Sequence, residues 1–277
     1  MIRVRVIVAL ALAASVAGGA GRAETDGPPR ALAMRVESEI FAGGAEPVAR
    51  SLTIFRDGVA WDFLELPAPG KGKGRGDAKL TLAEIALHDP ARERVVVIDP
   101  VRHVKTQIDS IRLERLSVSL AKWARGSDDR LVRWAGGPDF AAGLTETDDT
   151  IELAGPRVRY AVAHEAAPSP EAAAAYRTFA DSALLTRALV HPGGIPPFPR
   201  LALNRRLEAA GAIPSKVTLD VEPRLGAIAG PAERLTCVHK VHPAILAEDT
   251  ARIEDAEAHV ATAEAVDLAT FAAAADE

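Results

Sequence analysis

Histidines are the first residues to test for chemistry, because imidazole serves both as a metal ligand and as a general base. His239 and His242 lie three residues apart in a segment that reads as a β-strand. On a strand this spacing points the two side chains to opposite faces, so a shared zinc ion would need a bend, and ordinary surface or core histidines are the preferred interpretation. HExxH motifs and cysteine pairs do not occur in the sequence. We therefore predict no metal site and no cofactor.

The sequence gives little evidence for a catalytic nucleophile or a catalytic pair of carboxylates. The sequence contains no GxSxG or SxxK motif, although a triad assembled in space would leave no local motif. Cys237 is the only cysteine, which rules out an internal disulfide; we interpret it as a small apolar strand residue, with a reactive or intermolecular thiol as the alternative. Asp57, Asp62, Asp89 and Asp99 could form carboxylate pairs, but we interpret them as turn residues that accept backbone hydrogen bonds. We predict no catalytic residue.

Apolar side chains remain as the means of binding a ligand. Aromatic residues make up only 4% of the chain, and most of them are expected to lie in the core. The side chains that we predict to face an apolar ligand are Phe55, Trp61, Phe63, Val97 and Trp123.

All of these residues except Trp123 belong to a segment, 52–108, that predicts an antiparallel meander. Its short runs of β-branched and aromatic residues are separated by Asp57-Gly58, Asp89-Pro90 and Asp99-Pro100 turns. Connections this short cannot cross over to a parallel neighbour. Because residues 95–98 are apolar at every position, we expect them to form the central strand, covered on both faces.

Further elements follow from periodicity and capping residues. A strand is predicted at 34–41 and another at 131–134, and hairpins are predicted from 151–153 with 157–163 and from 217–221 with 235–241. Helices are predicted from Asp109 or Ser110 to Gly126, from Ser169-Pro170 to about residue 191, before Gly211, and from about residue 247. The glycine-rich, basic stretch at 67–77 predicts a solvated hairpin loop, with a weak contact to an anionic surface as the alternative.

The N-terminus predicts export. Arg3 and Arg5, an apolar run and a small-residue cleavage site make residues 1–23 a signal peptide, followed by a loose leader at 24–33. The apolar run is too short for a stable transmembrane anchor. The formal net charge of −5 becomes more negative when the arginines of the signal peptide are removed, which argues against nucleic-acid binding. We expect a periplasmic or secreted protein whose residues 269–277 form a flexible tail.

The runs Phe55-Arg56-Asp57-Gly58-Val59-Ala60-Trp61 and Val97-Ile98-Asp99-Pro100 sit within a pattern that resembles the LolA/LolB-like periplasmic lipoprotein-carrier fold. The resemblance implies an α+β domain at 34–268, in which a curved antiparallel half-barrel of about ten strands wraps amphipathic helices. It also implies an apolar cavity for acyl chains. The helical insert at 169–211 and the C-terminal helix depart from the family pattern.

The expected function is therefore non-enzymatic binding of an apolar ligand, such as a lipid or a lipoprotein acyl chain. Two alternatives stay open: a hydrolase-type envelope enzyme with a spatially assembled site, and an envelope scaffold that binds protein through a sheet edge. The sequence leaves the oligomeric state and the identity of the ligand undefined.

Overall fold

The structure, a computed structural model, describes residues 32–67, 79–222 and 233–273. Over these ranges the chain is α+β, with twelve strands in one open sheet and six α-helices. The predicted signal peptide, almost all of the leader, most of the glycine-rich loop and the end of the tail lie outside the described residues.

The first half of the sheet is the predicted meander. Each strand pairs antiparallel with the next, and the hairpin at Asp57-Gly58 has both residues at positive φ, 54° and 77°. The strands are β1 (Ala33–Phe41), β2 (Ala49–Arg56), β3 (Val59–Pro67), β4 (Leu80–Asp89), β5 (Arg94–Asp99) and β6 (Val104–Asp109).

The second half is another antiparallel run, joined to the first through the pairing of β1 with β11. Its strands are β7 (Leu144–Glu146), β8 (Thr150–Gly155), β9 (Val158–Ala166), β10 (Ala212–Val221) and β11 (Glu233–His242). A two-residue strand, β12 (Glu264–Ala265), pairs parallel with β6 and ends the sheet, whose order is β12-β6-β5-β4-β3-β2-β1-β11-β10-β9-β8-β7.

Six helices complete the described ranges: α1 (Ser110–Arg125), α2 (Arg130–Ala135), α3 (Pro170–Val190), α4 (Phe198–Ala209), α5 (Ala247–Thr262) and α6 (Leu268–Ala273). Ser169 caps α3 as predicted, because its side chain accepts a hydrogen bond from Ala172 N. No helix in the described ranges has both the length and the apolar character needed to cross a membrane.

The helices divide between the two faces of the sheet. Core residues of α1, α2, α3, α4 and α6 share clusters with one set of strand side chains, and we call this side the α3 face. Helix α5 packs on the opposite side, the α5 face, through Ile253 and Ala256. Residues 95–98 of β5 are buried on both sides, as predicted, with Val95 and Val97 on the α3 face and Val96 and Ile98 on the α5 face. Strand β5 is nevertheless third from one edge of the sheet, so its predicted central position is wrong.

One predicted strand is wrong. Residues 131–134 lie in α2, because the Asp129 side chain accepts hydrogen bonds from Leu131 N and Val132 N and so starts a helical turn. The short strands β7 and β12 were not predicted, since two or three residues carry no periodicity.

Candidate ligand-binding site

A cavity of about 290 Å³ lies on the α3 face, between helix α3 and the ends of β2, β3, β4 and β5. Phe55, Val59 and Val95 line it from the sheet, and Ala175 and Phe179 line it from α3. This combination of an aromatic and aliphatic lining with a few polar groups is typical of sites for small ligands.

The local sequence explains why these side chains meet. The tight turn at Asp57-Gly58 fixes the register that places Phe55 opposite Ala60, and strand alternation turns both toward α3. At the far end of β4, the buried side chain of Asp89 accepts hydrogen bonds from Arg92 N and Arg92 Nη1, at 3.1 and 2.9 Å. This cap ends β4 sharply and brings β5 back beside it.

Aromatic rings form one wall of the cavity. The ring centroid of Phe55 lies 5.6 Å from that of Phe179 in an edge-to-face arrangement and 5.9 Å from that of Tyr176. Tyr176 and Phe179 are buried residues of α3. Such edge contacts orient the rings beyond what their burial alone achieves.

His88 is a buried polar residue on the same wall. Its Nδ1 lies 3.1 Å from Ser182 Oγ, and its ring packs edge-on against Phe179 at 4.9 Å. Burial, with a smaller contribution from the positive charge of Arg187, lowers the pKa of His88 to about 3. The imidazole is therefore neutral at physiological pH and a poor base, so the Ser182–His88 contact does not provide an activated nucleophile.

A band of polar side chains runs across the same face, beside the cavity. Asp62 accepts hydrogen bonds from Ser51 and from Thr53, the latter at 2.9 Å. Burial raises the pKa of Asp62, although these hydrogen bonds and the charge of Arg187 oppose the rise. The interpretation of Asp62 as a turn residue is wrong, because it lies within β3.

The ion pair of Glu84 with Arg187 belongs to this band. Arg187 Nη2 lies 2.8 Å from Glu84 Oε1, and His191 Nε2 lies 3.9 Å from Glu84 Oε2. Burial pushes the pKa of Glu84 upward, but the charge of Arg187 and the contact with His191 outweigh it and hold that pKa below its usual value. The pair fastens α3 to β4. Sequence reasoning missed it because a contact between residues about a hundred positions apart leaves no local pattern.

The five predicted ligand-facing residues do not converge. Phe55 lines the cavity, whereas Val97 lies on the same face but packs in the core with residues of α1 and α6. Trp61 and Phe63 are buried on the α5 face, where Trp61 lines an open groove of about 480 Å³ next to α5. Trp123 lies at the surface of α1, with 60% of it exposed.

The remaining candidates occupy structural positions. His239 is buried, and its Nδ1 lies 3.0 Å from Ser38 Oγ. His242 Nε2 lies 3.7 Å from Glu37 Oε1 on the other face of the sheet. The prediction that the two histidine side chains point to opposite faces is therefore confirmed. Cys237 is a buried strand residue, and burial raises the pKa of its thiol. Within the described ranges, no three His, Cys, Asp or Glu side chains cluster in a way that could hold a metal ion.

Comparison of the sequence with protein-family models and with curated proteins gives no match.

Proposed function

We propose that this chain is an exported, non-enzymatic protein that binds a single acyl chain or a similar apolar ligand, such as that of a lipid or lipoprotein. The observation that carries the proposal is the cavity lined by Phe55 and Phe179, because it combines an apolar wall with a location between the sheet and its covering helices. The proposal includes a curved, half-barrel form of the open sheet. It also includes cleavage of residues 1–23 and a periplasmic or secreted location.

Size favours a small ligand. The cavity of about 290 Å³ is just below the range of roughly 300–1,000 Å³ found for ligand pockets. One acyl chain suits such a space better than a lipid with two chains. A neutral His88 favours an apolar ligand, since a charged imidazole in the wall would oppose the entry of hydrocarbon.

Both alternatives are less well supported. For a hydrolase, the Ser182–His88 contact offers a nucleophile beside a base, but the pKa of His88, about 3, is far below the pH at which such a base works. A scaffold that adds a partner strand needs a long free edge, but the edge strands β7 and β12 have only three and two residues.

Filling the cavity tests the proposal. Ala175→Leu places a larger side chain among the lining residues, and Ala174→Leu, one residue earlier on α3, is the matched control because Ala174 does not line the cavity. We expect Ala175→Leu to weaken uptake of decanoate and of decanol, measured by calorimetric titration, by roughly tenfold or more. The control should bind like the unaltered protein.

Circular dichroism would verify that both variants are folded. Absence of binding of either probe to the unaltered protein would refute the proposal, and so would equal binding by the Ala175→Leu and Ala174→Leu variants.

A further inference from the structure

Helix α1 exposes several apolar side chains. Of the five large apolar side chains that are exposed in the described ranges, three belong to this one helix. They are Ile111, Val118 and Trp123, with 55%, 70% and 60% of their surface exposed. Single exposed apolar residues are common on protein surfaces, but three within one helix of 16 residues indicate an interaction surface.

Basic side chains share this surface. The spacing of three and four residues places four exposed side chains along one line of the helix, on the side opposite the buried Leu113 and Ala124. We call this line the α1 ridge, and its members in order are Ile111, Arg115, Val118 and Lys122. Apolar and basic residues therefore alternate along the most exposed side of α1.

The charge of α1 is positive, although the whole chain has a formal net charge of −5. All of its charged side chains are exposed, and none makes an ion pair with a described residue. They are Arg112, Arg115, Lys122 and Arg125, together with a single acidic residue, Glu114. The positive charge of the helix is therefore not neutralised by contacts within the described structure.

Neighbouring charges reduce this excess but do not remove it. Asp109 directly precedes α1, and the segment that leads into α2 adds two acidic and two basic residues. Residues 109–135 together contain six basic and four acidic side chains, a net charge of +2. Arg92 and Glu93, which line an open groove with the first residues of α1, cancel each other.

The alternation along the α1 ridge indicates the kind of partner. The core of a protein–protein interface is depleted of charged residues, but each apolar residue of the ridge has a basic residue one turn away. The headgroup layer of a bilayer accommodates both kinds, because long basic side chains reach phosphate groups while apolar side chains and tryptophan enter more deeply. Anionic lipids also provide the opposite charge.

We infer that α1 is a docking helix that lies on a bilayer containing anionic phospholipids, with the α1 ridge and Trp123 in the headgroup layer. This inference goes beyond the proposed function and does not require the cavity to hold a ligand. Helix α1 begins at the cavity, since its first residue, Ser110, belongs to the lining. Docking therefore places that end of the cavity beside the lipid.

Sedimentation with vesicles tests the docking. The protein is mixed with vesicles of phosphatidylglycerol, which are anionic, or with vesicles of phosphatidylcholine, which have no net charge. We expect binding to phosphatidylglycerol that decreases with added salt, because exposed charges are screened. We expect little binding to phosphatidylcholine.

Tryptophan fluorescence reports whether α1 is the part that contacts the lipid. Trp61 is buried, and Trp134 is half-buried against Phe140, so Trp123 is the exposed tryptophan in the described ranges. Phosphatidylglycerol vesicles should shift the emission to shorter wavelength. The shift should be absent in Trp123→Ala, and an unchanged shift in this variant would overturn the assignment to α1.

Substitution of the basic residues tests the electrostatic part. The double variant Arg115→Gln, Lys122→Gln should bind phosphatidylglycerol vesicles about 25-fold more weakly, since each basic residue near an anionic surface contributes roughly fivefold. The matched control is Arg205→Gln, Lys216→Gln, which removes the same charge from exposed positions on α4 and β10. It should bind like the unaltered protein.

The remaining outcomes are decisive. Failure to bind phosphatidylglycerol vesicles, or equal binding to both kinds of vesicle, would overturn the inference. An equal loss in the two double variants would show that overall charge, rather than α1, governs binding. Binding of polyglutamate without binding of vesicles would assign the surface to an acidic protein instead. Uptake of decanoate and decanol is measured without vesicles, so the docking and the proposed function can fail separately.

Discussion

Two tryptophans of this chain, Trp61 and Trp123, have opposite surroundings. Trp61 has only 5% of its surface exposed and packs among β-strand side chains under α5, whereas Trp123 is 60% exposed on α1. Neighbouring residues do not reveal this difference. Both tryptophans sit in amphipathic patterns, and only the placement of α1 over the sheet edge decides which side of the helix is covered.

Substituting each tryptophan tests this contrast. We expect Trp61→Ala to lower the free energy of unfolding by about 3–5 kcal/mol, because it leaves a large void in a packed cluster. Trp123→Ala should change it by about 0.5 kcal/mol or less, as is usual at exposed positions. Urea denaturation followed by circular dichroism measures both. A cost of several kcal/mol for Trp123 would show that α1 is covered in solution.

At the scale of elements, most of the chain could be predicted because its signals are local. The dipeptide Asp57-Gly58 by itself predicts a tight hairpin turn. Ser169-Pro170 and Gly211 mark the limits of the α3–α4 insert. Helix α2 was missed because six residues span fewer than two turns, so the apolar residues Leu131 and Trp134 fit a strand as well as a helix. The informative residue is Asp129, a residue type that favours the N-cap position of a helix.

Removing that cap provides a test. Asp129 accepts hydrogen bonds from two N–H groups of α2 and lies 3.3 Å from Arg157 Nη2. Asp129→Ala should therefore destabilise the protein by about 1–2 kcal/mol. Asp128→Ala, at an exposed neighbour, is the control and should cost little. Thermal unfolding of the two variants compares them, and equal melting temperatures would contradict the assigned cap.

The candidate site was less predictable than the elements. Of its lining, Phe55 was anticipated from the sequence, but His88, Arg94 and Phe179 reach the same cavity only through the pairing of strands and the docking of α3. Those contacts span many residues of chain, and they depend on which face each strand presents. Local patterns specify alternation along a strand, but they do not specify what lies across from it.

At the scale of the whole molecule, buried neutral histidines make the fold sensitive to acid. The pKa of His88 is about 3, and burial also lowers that of His239 well below its ordinary value of 6.5. An unfolded histidine takes up a proton below about pH 6.5. The unfolded chain therefore binds more protons than the folded one between pH 6.5 and 3, and stability falls as the pH decreases through this window.

His88→Gln isolates one of these contributions. The stability of the unaltered protein should fall by up to about 5 kcal/mol on account of His88 across this window, and the variant should lose that part of the fall. Ser182→Ala is the control, since it removes the partner of His88 but keeps the titrating group. Urea titrations at a series of pH values measure how the free energy of unfolding of each protein depends on pH. Parallel curves for His88→Gln and the unaltered protein would show that the imidazole is already charged when folded.

The pairing of β1 with β11 has a consequence for biosynthesis. Strand β1 is synthesised long before its partner on one side, Glu233–His242, since 201 positions separate Ser38 from His239, which lies opposite it in the pair. Until then the nascent chain holds an unsatisfied row of amide and carbonyl groups that could pair with a wrong strand or with another molecule. Completing the sheet is thus delayed until β11 has been synthesised, and the growing protein has a long period in which a chaperone can bind it.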